Sequence, residues 1–239
     1  MDKILKPLQD FLIKNDLPSS NNILKKFGQY INLLIRSPYN VTSIKNPDEI
    51  IIKHFIDSLF LVKFCKDFKK NKKIIDIGTG AGFPGVPLKI LFPEIELYLI
   101  ESVGKKVEFL KLLIDNLNIS GIIIINERAE ILAHKPNFRE QFDIVLSRAV
   151  ANLSTLLEIT SPFAKVGKSI VAYKGKRVRD ELSTAQKAME ILNLIIKNIY
   201  FYKLINNDYE RSLVFFEKTK NTPNKFPRRP GIPQKRPIA

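Results

Sequence analysis

One cysteine, Cys65, in 239 residues is too few for an internal disulfide framework or a multi-cysteine metal site, and it fits a reducing cytoplasm. Acidic residues are short as well: 24 Asp and Glu stand against 39 Lys and Arg, a net charge of +15. A positive field of that size favours a polyanion such as nucleic acid or an acidic membrane surface, although lysines on solvated faces in an AT-rich coding sequence account for part of it. Long apolar runs are missing. No stretch of ~18 apolar residues passes without a charge, and Ile122 to Ile125 is only strand-sized, which excludes a membrane-spanning helix. Met1 to Asp16 mixes acids and lysines with its apolar residues, unlike a secretory signal, so the sequon Asn40-Val41-Thr42 carries no weight. The expectations are a cytoplasmic protein, a monomer, with no metal and no membrane partner.

What is present is enough for a core, at 45% hydrophobic residues, arranged in three parts. Residues 1–71 read as a helical cap, with Ile23, Phe27, Tyr30, Ile31 and Leu34 recurring every three or four positions. Asn46-Pro47-Asp48-Glu49 has the form of a helix start: a capping Asn, Pro at the first helical position and acids at the positive end of the dipole, with the helix expected to run to about Phe64. Residues 72–218 alternate short apolar runs with amphipathic segments, the pattern of a parallel sheet flanked by helices. Strands are expected near 73–77, 95–101, 121–126, 142–147, 168–174, 197–205 and 210–217. Asn206-Asn207-Asp208 leaves no room for a crossover, so the last two strands form an antiparallel hairpin. Residues 219–239 carry six Lys or Arg, five Pro and no acid, a composition expected to stay extended as a basic arm, with Arg228 and Arg229 beside Phe226 offering phosphate contacts and a stacking face to RNA.

The densest signal is Lys73 to Gly85, where a short strand runs into Gly78-Thr79-Gly80-Ala81-Gly82-Phe83-Pro84-Gly85. Glycines without Cβ let backbone N–H groups approach an anionic ligand. Gly80, Gly82 and Gly85 satisfy the dinucleotide fingerprint, a weak signal by itself. Glu101 ends the second strand, where a carboxylate accepts bonds from ribose hydroxyls of NAD or S-adenosylmethionine alike. Two features favour the methyl donor. Asp76, within the first strand, suits the donor's ammonium group or the orientation of the loop and would repel a pyrophosphate. The chain also leaves little room for a dehydrogenase's separate catalytic domain. With the closing hairpin, the pattern resembles the S-adenosylmethionine-dependent methyltransferase fold, in which Gly78 is the operative glycine and Ala129 with Glu130, after the third strand, reads the adenine edge. A charged surface helix start accounts for Glu130 equally well.

After the fourth strand comes Ser147-Arg148-Ala149-Val150, without the Asp or Asn, two prolines and aromatic typical of enzymes that methylate exocyclic amines. No cysteine lies there for pyrimidine C5 attack. A target that is already nucleophilic remains, such as guanine N7, which loses no proton on methylation, so no catalytic side chain is expected. Arg148 then suits a phosphate or carboxylate better than a base that becomes cationic.

Six ordered motifs carry a closer resemblance: Tyr39-Asn40-Val41-Thr42-Ser43-Ile44, His54-Phe55-Ile56-Asp57-Ser58-Leu59, Asp76 to Gly85, Glu101-Ser102-Val103-Gly104-Lys105-Lys106, Arg128-Ala129-Glu130 and Ser147 to Val150. The chain resembles the bacterial small-subunit ribosomal RNA guanine-N7 methyltransferase G family, formerly called glucose-inhibited division protein B. The resemblance implies S-adenosylmethionine against Gly78, Gly80, Phe83, Ala129, Glu130 and Arg148, with Glu101 on the ribose. It also implies methylation of a guanosine in the decoding-region loop of 16S rRNA. The sequence departs from the family in having Glu, not Asp, at position 101. His54 and Asp57, neighbours on one helix face, are expected to tie the cap to the sheet. The contrasting readings are an NAD-dependent oxidoreductase and a non-catalytic RNA-binding protein with a vestigial pocket.

Overall fold

The alternation of apolar runs and amphipathic stretches becomes a seven-stranded sheet between two helical layers in a computed structural model, which describes residues 2–65, 68, 72–148, 151–204 and 210–238. The strands are β1 (Lys73–Ile77), β2 (Glu96–Glu101), β3 (Ile122–Asn126), β4 (Phe142–Arg148), β5 (Ala164–Gly175), β6 (Leu194–Lys203) and β7 (Glu210–Lys218), ordered β3-β2-β1-β4-β5-β7-β6. The pairs among β1 to β5 are parallel, while β7 runs antiparallel to both β5 and β6. The expected architecture is borne out. The turn expected at Asn206-Asn207-Asp208 lies outside the described residues. β5 begins earlier than its apolar run suggests because Ala164 pairs with Phe142 before the register shifts between Phe142 and Ile144.

Side chains alternate across the pleat, so each strand feeds two cores. Ile74 packs with Leu97, Leu99, Leu146 and Phe215 under the cap, whereas Ile75, Ile77, Ile100 and Val145 pack on the opposite face. The first layer holds α1 (Asp2–Lys14), α2 (Asn21–Arg36), α4 (Asp57–Phe64), α5 (Gly85–Leu91) and α6 (Gly104–Leu117). The second holds α7 (Ala129–Leu132), α8 (Leu153–Thr160), α9 (Val178–Thr184), α10 (Gln186–Ile191) and α11 (Ile232–Lys235).

In the cap, the stripe on α2 buries Phe27, Tyr30, Ile31 and Leu34 as its spacing predicts. The Asn46 side chain accepts from the backbone N–H groups of Asp48 and Glu49, starting α3 (Pro47–Ile50). The helix does not then run uniformly to Phe64: Ile51–Ile56 adopts the wider π form before α4. π turns shift the carbonyl ladder and recur at functional sites, and this one carries Lys53 and His54.

The basic segment after β7 departs from the extended arm expected of it. Phe226 and Ile238 enter the second core. Proline removes ladder donors, but the segment's carbonyls find side-chain donors instead. Arg139 donates to the carbonyls of Thr222, Pro223 and Phe226, His134 Nε2 to that of Pro227, and Thr155 Oγ1 to that of Pro233. Glu158 on α8 is fully buried and requires a counter-charge, which Arg228 supplies through Nε at 2.8 Å and Nη2 at 2.6 Å. Arg228 is therefore committed to the protein, while Arg229 stays exposed.

Candidate functional site

Strand order reverses beside β1, and ligands of open α/β sheets bind at the carboxyl ends of strands flanking such a point. Register puts Ile77 opposite Ile100 and Ser147, and Glu101 opposite Asn126, so the glycine turn, Glu101, the loop before α7 and Arg148 end at the same side of the sheet.

The turn is held from below. Gly78 and Thr79 donate backbone N–H groups to the Ile100 carbonyl at 3.0 and 3.1 Å. The buried Asp76 Oδ2 accepts from Thr79 Oγ1 at 2.7 Å and from the Gly85 N–H at 2.9 Å. A Cβ at Gly85 would lie 3.0 Å from Asp76 Oδ2 and 2.9 Å from Leu99, so the close approach excludes any larger residue. Gly80 differs: its φ of +62° favours glycine, yet a Cβ there would meet nothing within 4 Å, leaving open space over its backbone. Burial, the largest influence, pushes the Asp76 carboxyl up to about 6 against the hydrogen bonds from Thr79 and Gly85. Its Oδ1 has no hydrogen-bond partner. An unpaired buried carboxylate oxygen under an open glycine turn fits the ammonium end of S-adenosylmethionine.

Glu101 is buried and bridges two loops, its Oε2 accepting from the Gly80 N–H at 3.0 Å and its Oε1 from the Val103 N–H at 2.9 Å. Each oxygen keeps a lone pair for a ribose hydroxyl. Gly78, Glu101, Ala129 and Glu130 line one cavity of ≈ 140 Å³, joined by Ser102, Glu127, Arg128, Ile159 and, from α11, Gln234. Glu130 is not free to turn, because its Oε1 accepts from the Gly231 N–H at 3.1 Å.

Phe83 and Arg148 belong to an adjoining group. Phe83 lies buried between the rings of Tyr30, 5.2 Å away, and His54, 4.5 Å away, with the Arg148 guanidinium 5.1 Å over its ring. Arg148 donates to Asp57 Oδ2 and the Lys53 carbonyl at 3.1 Å, and its Nη2 lies 3.2 Å from His54 Nδ1. Since a guanidinium only donates, Nδ1 accepts, and the imidazole is the neutral tautomer whose Nε2–H donates to Thr42 Oγ1 at 2.8 Å. Burial, helped by the positive charge of Arg148, lowers the His54 pKa to about 3. Asp57 also accepts from Tyr202 Oη at 2.7 Å, so His54 and Asp57 do hold the cap to the sheet. A second cavity of ≈ 420 Å³ opens between them, lined among others by Lys53, Arg148, Lys174, Glu181 and Arg211. Among the described residues, no group of His, Cys, Asp and Glu could hold a metal ion.

The structure thus gathers Gly78, Glu101, Ala129 and Glu130 at one cavity, sets Phe83 and Arg148 beside it with Gly80 tied in through Glu101, and places Arg228 and Arg229 along a separate groove of ≈ 600 Å³. Sequence reasoning missed Tyr30, whose hydroxyl donates to the Ala81 carbonyl, as well as Lys53, Arg211 and Gln234. Tyr30 read only as one more apolar position of the α2 stripe. Gln234 gave no signal at all.

A model of the GidB family, described as rRNA small subunit methyltransferase G, matches residues 23–213. A ribosomal RNA small subunit methyltransferase G from Carboxydothermus hydrogenoformans is 42% identical over 233 residues, covering 97% of this chain and 98% of its own length. One of the same name from Clostridium tetani is 45% identical over 199 residues, 83% of each chain. Among solved structures, a SAM-dependent methyltransferase from Aquifex aeolicus superposes with a TM-score of 0.55 at 15% identity, covering 74% of this chain and 96% of its own. A mutant of MtNAS in complex with S-adenosylmethionine gives 0.57 at 14% identity, over 82% of this chain and 73% of that one. These two share the fold; the sequence relatives, over nearly the full length, show that the chain belongs to the rRNA small subunit methyltransferase G family.

Proposed function

We propose that the protein methylates N7 of a guanosine in the decoding-region loop of 16S rRNA, with S-adenosylmethionine as the donor, acting as a cytoplasmic monomer. Family membership makes it a ribosomal RNA methyltransferase of the S-adenosylmethionine-dependent class. The donor brings a sulfonium-activated methyl group, and its ammonium end fits Asp76 Oδ1, its ribose Glu101, and its adenine the cavity at Ala129 and Glu130.

The observation that supports N7 is the state of the proton acceptors beside the loop. Both His54 nitrogens are engaged, and Asp57 is bonded to Arg148 and Tyr202. Neither His54 nor Asp57 is therefore free to act as a general base, and methylation at N7 does not call for one: the ring nitrogen's lone pair attacks the methyl carbon, the carbon–sulfur bond breaks, and the positive charge passes to the purine. What the protein contributes is orientation and proximity. The cationic cleft of Lys53, Arg148, Lys174 and Arg211 lies next to Phe83 and suits the phosphates on either side of the target nucleotide.

Calorimetry and methyl incorporation test this reading. The protein should bind S-adenosylmethionine and not NAD, and should transfer labelled methyl to small subunits that lack the modification. Binding of NAD alone would return the dinucleotide reading, and donor binding without transfer to any RNA would leave a binding protein.

A further inference from the structure

Between β7 and the carboxyl terminus, the proline-rich segment crosses the second helical layer and ends over the donor cavity. Four contacts direct it there. Arg228 pairs with the buried Glu158, with its backbone N–H also donating to Glu158 Oε1 at 2.9 Å. Its Nη2 donates in addition to the Arg236 carbonyl at 2.7 Å, which folds the segment back on itself. The Gly231 N–H, presented by a left-handed residue at φ +80°, donates to Glu130 Oε1. The hydroxyl of the buried Thr155 donates to the Pro233 carbonyl at 2.8 Å, fixing the residue before Gln234.

Gln234 thereby lines the cavity that also holds Gly78, Glu101, Ala129 and Glu130, although it lies more than 100 positions after Glu130 in sequence. Resting on the donor-binding reading above, we propose that the carboxyl-terminal segment is a wall of the donor site and that Gln234 recognises adenine. A carboxamide carries an acceptor and a donor side by side, and that pairing matches the amino group and adjacent ring nitrogen of adenine. Glu130, held by Gly231, cannot offer both. The segment's first role is then toward the cofactor, with Arg228 as its clasp, while the exposed Lys220, Lys225, Arg229, Lys235 and Arg236 remain available to RNA.

The test is base discrimination. Dissociation constants for S-adenosylhomocysteine and S-inosylhomocysteine, which replaces the amino group by a carbonyl, are measured for the full chain and for Gln234→Ala. The wild type should prefer the adenine compound at least tenfold, and Gln234→Ala should reduce that preference threefold or more with the melting temperature unchanged, since Gln234 is exposed. Thr155→Val, which keeps the buried shape and loses the bond to Pro233, should reduce it in the same direction. An unchanged preference in Gln234→Ala would overturn the proposal. Failure of the wild type to bind either compound would instead overturn the donor-binding reading beneath it.

Discussion

Asp76 and His54 are both buried groups whose charged forms the fold disfavours, and they pull stability in opposite directions with pH. Asp76 has its folded pKa raised from 3.8 to about 6, so the folded state holds the extra proton between those values and stability falls as pH rises through them. The size of that loss is on the order of 3 kcal/mol. His54 has its folded pKa lowered from 6.5 to about 3, so its contribution is intact above 6.5 and is lost as pH falls toward 3. The two offset each other between pH 4 and 6, leaving the wild-type profile flatter than either group alone would make it. Asp76→Asn should therefore gain stability relative to wild type on going from pH 4 to pH 7, measured by urea midpoints, while losing donor affinity. A pH-independent difference between the two proteins would remove the buried carboxylate from the account. For Glu101→Ala, loss of charge-assisted acceptors worth roughly 1.5 to 3 kcal/mol should weaken donor binding about tenfold to a hundredfold. Unaltered affinity would take Glu101 out of the site.

At the scale of elements, strands were more legible than the segments that join the site together. The runs at Lys73–Ile77 and Phe142–Arg148 alternate short apolar stretches with turn residues, a local pattern that register then only has to align. The π turn at Ile51–Ile56 has no such signature, and its Lys53 carbonyl finds its donor in Arg148, far along the chain. The carboxyl-terminal segment was misjudged for a similar reason. Its composition reports the ladder bonds that proline denies, and says nothing of Arg139 or Glu158, which replace them. Arg228→Met should cost about 3 to 5 kcal/mol in chemical denaturation, since it strands Glu158 without its partner in the core. The double variant with Glu158→Met should recover most of that loss. Recovery of nothing would mean that the ion pair is not what anchors the segment.

At the scale of the whole molecule, both faces of the sheet contribute to the proposed ligand site. The cap layer supplies Tyr30, His54 and Asp57, which stack on or bond to Phe83, Ala81 and Arg148. The opposite layer supplies Ala129, Glu130 and the segment carrying Gln234. The glycine loop lies between and is braced by Tyr30 from the cap and by Asp76 and Glu101 from the sheet. Some of the 39 Lys and Arg are engaged in ion pairs within the fold, such as Lys218 with Glu140 and Arg228 with Glu158, so fewer of them face RNA than their number suggests. Salt dependence of binding to small-subunit RNA should accordingly show a log-log slope set by roughly 4 to 6 phosphates, or about −3 to −4 for single-stranded contacts. A slope near zero would place the RNA elsewhere than on this cationic surface. The claim that joins these scales is that the site delivers a methyl group to a ring nitrogen without moving a proton. Its most direct test is to incubate unmethylated small subunits with the protein and S-adenosylmethionine, reduce the extracted RNA with borohydride, treat it with aniline and map the break. Cleavage at one guanosine of the decoding-region loop of 16S rRNA is predicted; methyl incorporation without any aniline-labile guanosine would contradict the account.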